Sequence, residues 1–383
     1  MSAPAGTIQQ AGELRIARLE SLRGLASIGV LGAHAWIIAR GSAGVGYDQT
    51  YPQRLILSGG LGIWLFFALA GYLLYWPFAQ RDFGRGGHVD LRLYARNRAL
   101  RIFPVYYAAL VAAFVLLEGG GNPRQWLTFA LFLENFDPAT VGTVVGPMWS
   151  LVVELHFYTL LPFLAAGIAL VARRRRGVAA ALLALLVVGA MAFRWVMVEG
   201  AAPGDFDVRW LYSLPTNIGF IAIGMLLALL RTAWQERPPA WLEGPLGRAD
   251  AWMLASVPLW LVVVADYKLI ALSALASVLM VGACVLPLRP GLLLRPLDFK
   301  PLASIGVMSY SLYLIHFPLM LELVGLVDGS LQLFLLGSAI ALPLAALSYR
   351  CVERPFLSRR RVWSPDAAQS ADANRLPAQA PSA

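Results

Sequence analysis

The chain has 383 residues, 58% of them apolar and 14% charged, and its mean hydropathy is +0.65. A soluble domain carries about 25% charged residues, so the composition excludes an ordinary soluble protein and implies a polytopic membrane protein. The net charge of +9 comes from 31 Lys and Arg residues set between long apolar runs. That is the pattern of the positive-inside rule, and with no basic helix or finger motif beside it, nucleic acid is not expected as a partner.

Residues 1–12 are small and polar and read as disordered, with no charged stretch and apolar core of the kind a cleaved signal peptide has. Apolar segments follow at 19–39, 55–78, 99–117, 148–172, 177–198, 211–230, 252–265, 269–288, 305–326 and 331–350. They predict an all-α integral membrane bundle of about ten spans, with a further re-entrant piece possible at 125–135. Residues 364–383 read as a second disordered tail, which leaves 13–358 as one membrane domain with no soluble domain beside it.

Basic residues mark alternate loops: Arg15 and Arg18 before the first span, Arg81 to Arg98 between the second and third, and Arg173 to Arg176 after the fourth. Arg354 and Arg359 to Arg361 follow the tenth, whereas the intervening loops are nearly free of Lys and Arg. An even number of spans with both termini cytoplasmic is expected, in the cell membrane.

Ionisable residues inside spans are costly and by default functional. In the first span Arg23 and His34 are 11 residues apart, which is three turns and ~16 Å along one helix face. Gly59, Gly60, Gly62 and Gly71 of the second span allow close helix approach. Arg98 and Arg101, neighbours on a helix face at the start of the third span, suit forked phosphate contacts or lipid-headgroup anchoring. Glu154 lies at a depth similar to His34. The two could form a base and its orienting partner, or a buried pair joining two helices. His156 points to a different face, toward an interhelical hydrogen bond or the site.

In the ninth span Ser309, Tyr313 and His316 form a polar stripe. Interhelical bonding suits Ser309 and Tyr313, while His316 is open between that and a site role. Glu353-Arg354-Pro355 ends the tenth span, where Glu353 could pair with a mouth arginine and Pro355 stops the helix. Cys284 and Cys351 are expected to pack rather than to bond or hold a metal. There is no Walker A loop, HExxH, CxxC pair or GxSxG, which argues against ATP-driven transport, zinc chemistry and a serine hydrolase.

The stretches LESLRGLA with His34, GIWLFFALAGYLL, RALRIFPVYY, WSLVVELHFY, SYSLYLIHFP and VERPF, in that order, resemble the acyltransferase 3 family of integral membrane acyltransferases. The resemblance implies transfer of an acyl group, usually acetyl, from acyl-coenzyme A to a hydroxyl of a carbohydrate or similar acceptor. It implies that Arg23 and His34 are essential and that Arg98 and Arg101 serve coenzyme A; the glutamate of its WSLxVE motif falls on Glu154. The sequence departs at Glu20 (usually Asp), Ser21 (commonly Gly), Ala70 (the LSG serine), Leu155 (a second Glu) and His156 (Gln). These departures bear on the acceptor more than on the reaction. Some members carry an appended hydrolase-like domain, for which none of this length is left over.

The expected protein is thus an acyl-coenzyme A-dependent O-acyltransferase with no permanently bound cofactor or metal. His34, Glu154 and Arg23 would be catalytic, and Arg98, Arg101 and Arg23 would bind the donor. Ser309, Tyr313, His316, His156 and Glu353 would contact substrate or support the site. The acceptor would be a surface polysaccharide, a lipid-linked sugar or a small glycosylated metabolite. Direct transfer and a covalent acyl-histidine relay both fit. The alternative is a secondary transporter or flippase of a polar lipid or glycan, with the intramembrane His and Glu as a proton relay. No inverted repeat supports it.

Overall fold

The computed structural model describes residues 5–41, 49–84, 86–117, 122–143, 145–202 and 205–360. Ten helices follow the ten apolar segments: α1 (Ala5–Arg40), α2 (Gly62–Phe83), α3 (Leu91–Ala112), α4 (Trp149–Ala172) and α5 (Arg176–Arg194). They continue with α6 (Leu214–Glu236), α7 (Ala249–Ala265), α8 (Ala271–Val285), α9 (Ser309–Leu323) and α10 (Ser330–Ser348). Eight helical runs are long and apolar enough to cross a membrane, and α7 and α8 are shorter. No strand forms among the described residues; the one pairing is an isolated bridge between Arg248 and Arg289. The chain is an all-α multi-pass membrane protein. Helix α1 already includes residues 5–12, whereas residues 1–4 and the tail 364–383 lie outside the described residues.

Helix α6 forms the centre of the bundle, with 72% of its apolar window buried, against 17% for the peripheral α5. Its partner α2 approaches closely enough that a Cβ built on Gly71 would fall 1.9 Å from the Ile221 carbonyl oxygen. Only glycine permits that backbone contact, as the small residues of the second span suggest. A separate apolar cluster of Leu31, Ala35, Leu312, Met320, Leu333 and Ala341 joins α1 to α9 and α10. The short helix Lys300–Val307 also lies along α1, where a Cβ on Gly306 would meet the Glu20 carbonyl oxygen at 1.7 Å.

Helix α3 starts at Asp90, whose carboxylate accepts from the amides of Leu93 and Arg92 at 3.1 and 2.8 Å. Those two hydrogen bonds hold the Asp90 carboxyl below its usual range. The cap fixes the start of the helix that carries Arg98 and Arg101.

The segment expected to be re-entrant is a short helix, Pro123–Ala130, and a turn at Glu134–Phe136. The Asn135 side-chain amide donates to the carbonyls of Trp149 and Tyr212, both at 2.8 Å, tying the turn to α4 and to the segment before α6. Glu134 is 1% exposed, with Oε1 3.2 Å from the Tyr106 hydroxyl and Oε2 unpartnered. Burial pushes its carboxyl up to about 8.

Pro355 does not stop the last span. Helix α10 runs into a π turn at Tyr349–Glu353, and Pro355 sits in the first turn of a further short helix, Arg354–Leu357. Proline is accepted there because a first-turn amide needs no intrahelical partner. The turn buries Glu353 and carries the chain on to Arg360.

Candidate active site

A cavity of about 360 Å³ lies among α1, α2, α3, α4 and α9. Its charged wall gathers Glu20 and Arg23 from α1, Arg98 and Arg101 from α3, Glu154 from α4 and Arg360 from beyond α10. Tyr158, Ser150, Ser309, Tyr310 and Tyr313 supply hydroxyls, and α2 contributes Phe66, Phe67 and Ala70. Ala70, the position where serine is usual, therefore faces this space.

The carboxylates are engaged unevenly. Glu20 pairs with Arg23 one turn away at 3.4 Å, and the Arg23 guanidinium lies 6.0 Å from the Phe66 ring centre. Glu154 accepts a short hydrogen bond from the Tyr158 hydroxyl. Arg98 lies between the rings of Tyr94 and Tyr158, at 6.0 and 5.8 Å, with its buried Nε unpartnered. Glu353 forms no ion pair among the described residues: one oxygen accepts from Ser311 at 3.0 Å and the other is buried without a hydrogen-bond partner. The expected pairing with a mouth arginine is not formed.

At the far end of the cavity the Tyr313 hydroxyl lies 2.8 Å from Ser150 Oγ and donates to the Pro147 carbonyl at 3.0 Å. Tyr313 therefore joins α9 to α4, as its place in the polar stripe suggests. Ser309 does not: its buried hydroxyl has no partner, so it is a free donor in the cavity wall rather than an interhelical link.

Beyond Tyr313 lie the two histidines. His34 Nδ1 is 2.8 Å from His316 Nε2, and the two rings stack with an interplanar angle of 17°. His316 is fully buried, with Nδ1 3.0 Å from the Leu312 carbonyl oxygen. The expected pairing of His34 with Glu154 is not formed. Helix α1 packs against α9 and α10, whereas α4 packs against α2, α5 and α6, so matched depth does not become contact. Glu154 stays with the arginines instead. Neither histidine lines the cavity, which ends at Ser150 and Tyr313. His156 is turned away, 5.4 Å from the Phe136 ring.

The hydrogen-bond chain fixes the proton positions of a neutral pair. A carbonyl oxygen can only accept, so His316 Nδ1 carries a proton and His316 Nε2 keeps its lone pair. His34 Nδ1 must then donate to that lone pair, which leaves His34 Nε2 unprotonated. Such a ring can take a proton from a hydroxyl.

The profile of the acyltransferase domain family matches residues 16–350. The chain belongs to the acyltransferase 3 family. Among curated relatives of this acyltransferase, a Bacillus subtilis protein provisionally named as the peptidoglycan O-acetyltransferase YrhL is 25% identical over 78% of the chain. The chain spans only half the length of that relative. Acyltransferase MdmB of Streptomyces mycarofaciens is 24% identical over 91% of the chain and 94% of its own length. Nodulation protein 10 of Rhizobium leguminosarum bv. viciae is 24% identical over 88% and 92%. No solved structure matches significantly. The family match and the helices together make the chain a membrane-spanning acyltransferase of that family.

Of the residues singled out in the sequence of the acyltransferase, Arg23, Arg98, Arg101, Glu154, Ser309 and Tyr313 converge on the cavity. His34 and His316 form the pair behind it, and His156 and Glu353 stand apart. Sequence reasoning did not assign Arg360, Glu20 or Tyr158 to the site, although all three line the cavity. Tyr158, four residues after Glu154, was accessible through helical spacing. Arg360 was counted only as one more basic residue after the last span.

Proposed function

We propose that the acyltransferase uses acyl-coenzyme A, with acetyl as the acyl group, and transfers that group to a hydroxyl of a cell-surface carbohydrate. The observation that carries this reading is the arginine-lined cavity ending one aromatic layer short of a histidine with a free ring nitrogen. Diphosphate and phosphate groups suit forked guanidinium donors. The positive-inside pattern puts this basic end at the cytoplasmic face of the cell membrane, where the donor is made. The pantetheine arm then runs toward Tyr313 and the thioester passes it to reach His34.

In the transfer step His34 Nε2 takes the proton of the acceptor hydroxyl as its oxygen attacks the thioester carbon. The C–S bond breaks when the tetrahedral intermediate collapses. The imidazolium returns the proton to the departing thiolate, leaving an ester and free coenzyme A. His316 Nε2 accepts the hydrogen bond from His34 Nδ1–H throughout and steadies the charged ring. The name of the Bacillus relative supports a glycan acceptor, reached from the outer side.

Purified protein incubated with acetyl-coenzyme A and cell-wall glycan should release thiol and form ester, and His34→Ala should abolish both while keeping its melting temperature. Full turnover by His34→Ala would refute the scheme.

A further inference from the structure

We propose that Arg360, acting with Arg98, binds a phosphate group of the acyl donor; this deepens the acyl-coenzyme A reading and rests on it. Arg360 reaches the cavity from the opposite end of the sequence to Arg23, brought there by the π turn and the Arg354–Leu357 helix. Its Nε and Nη2 are buried and have no hydrogen-bond partner, and the Nε of Arg98 is in the same state.

Among the described residues neither guanidinium forms an ion pair. Of the nearby carboxylates, Glu20 pairs with Arg23 and Glu154 accepts from Tyr158, while Glu353 accepts from Ser311 through one oxygen and keeps the other buried without a partner, forming no ion pair with either arginine among the described residues. Burial first, then Arg101 and Arg98, draw Arg360 down to about 10, so it remains charged at neutral pH beside two like charges. Unpartnered buried N–H groups and mutual repulsion are both relieved by a ligand carrying several negative charges. A forked guanidinium donates to two phosphate oxygens at once, and Arg98 and Arg360 line the same cavity. The neighbouring Arg359 is different: its side chain is exposed and lies 5.5 Å from the Phe356 ring, outside the cavity.

Binding of coenzyme A to the full-length protein in detergent tests this, with Arg360→Gln, Arg360→Lys, Arg359→Gln and Arg98→Gln as variants. Arg360→Gln and Arg98→Gln should each weaken binding by about tenfold or more, as loss of a charged hydrogen bond does. Arg359→Gln should stay within roughly twofold, being a comparable loss of charge in a screened position. Unchanged binding by Arg360→Gln, or an equal loss in Arg359→Gln, would overturn the assignment. If the glutamine variant fails to fold, Arg360→Lys decides, because it keeps the charge and loses the fork: at least threefold weaker binding is expected, and wild-type binding refutes. Unchanged coenzyme A binding with less co-purifying phosphatidylglycerol would place Arg360 on lipid headgroups and overturn it. Wild-type protein that binds no coenzyme A would instead remove the donor reading itself.

Discussion

His34 and His316 share one proton position: Nδ1 of the first and Nε2 of the second are 2.8 Å apart, and the far nitrogen of His316 is held by a backbone carbonyl. On the proposed mechanism the second histidine positions the first. His316→Ala is expected to lower kcat by about a hundredfold, the range in which a misoriented base costs rate. The donor KM should stay near wild type, and the acid limb of the pH–rate profile should move. A variant with unchanged kcat and profile would show that the ring only fills space.

Glu154 stands with Tyr158 and the arginines, so Glu154→Gln should act on the donor rather than on the base. The expected result is a changed donor KM with the pH–rate profile left in place. A shift of that profile, measured at saturating donor, would restore Glu154 to the orienting role the sequence suggested.

Glu134 offers a test outside the site. A carboxyl raised from 4.5 to about 8 in the folded protein binds its proton more tightly there than when unfolded. Stability therefore falls as pH rises through that window, by roughly 1.4 kcal/mol per unit at most, and is flat above it. Glu134→Gln keeps an acceptor for Tyr106 and removes the titration. Its melting temperature should exceed wild type increasingly from pH 5 to about pH 8, and parallel curves would contradict the burial argument.

Gly71→Ala places a methyl 1.9 Å from the Ile221 carbonyl oxygen, where backbone must move. Forcing α2 away from α6 should cost about 1–3 kcal/mol, the usual range for overpacking. Gly167, with nothing near its Cβ position, is the control: Gly167→Ala should melt like the wild type or slightly above it.

The position of the ten apolar helices was legible from hydropathy, but only eight helical runs have the length to cross a membrane, and α7 and α8, counted as spans in the sequence, are shorter. The Arg23-to-His34 alignment was equally legible, since an unbroken helix converts spacing into direction. What the sequence could not supply was the azimuth of one helix about another. His34 and Glu154 match in depth, but the faces they occupy depend on α1 choosing α9 and α10 as neighbours, and that choice is made by many small packing contacts. Arg360 was hidden for a different reason. Counting basic residues gives each the same anchoring role, and a π turn that redirects the chain leaves no pattern in residue spacing.

The Ser150–Tyr313 contact stands between an arginine-lined cavity and the histidine pair. Each proton crossing a membrane under 100 mV releases about 2.3 kcal/mol, so an uninterrupted polar path would drain the energy of the cell. A phenol bonded to the Pro147 carbonyl just before α4 interrupts that path. On the proposed function, the bundle would pass a chemical group toward the outer face and remain an insulator.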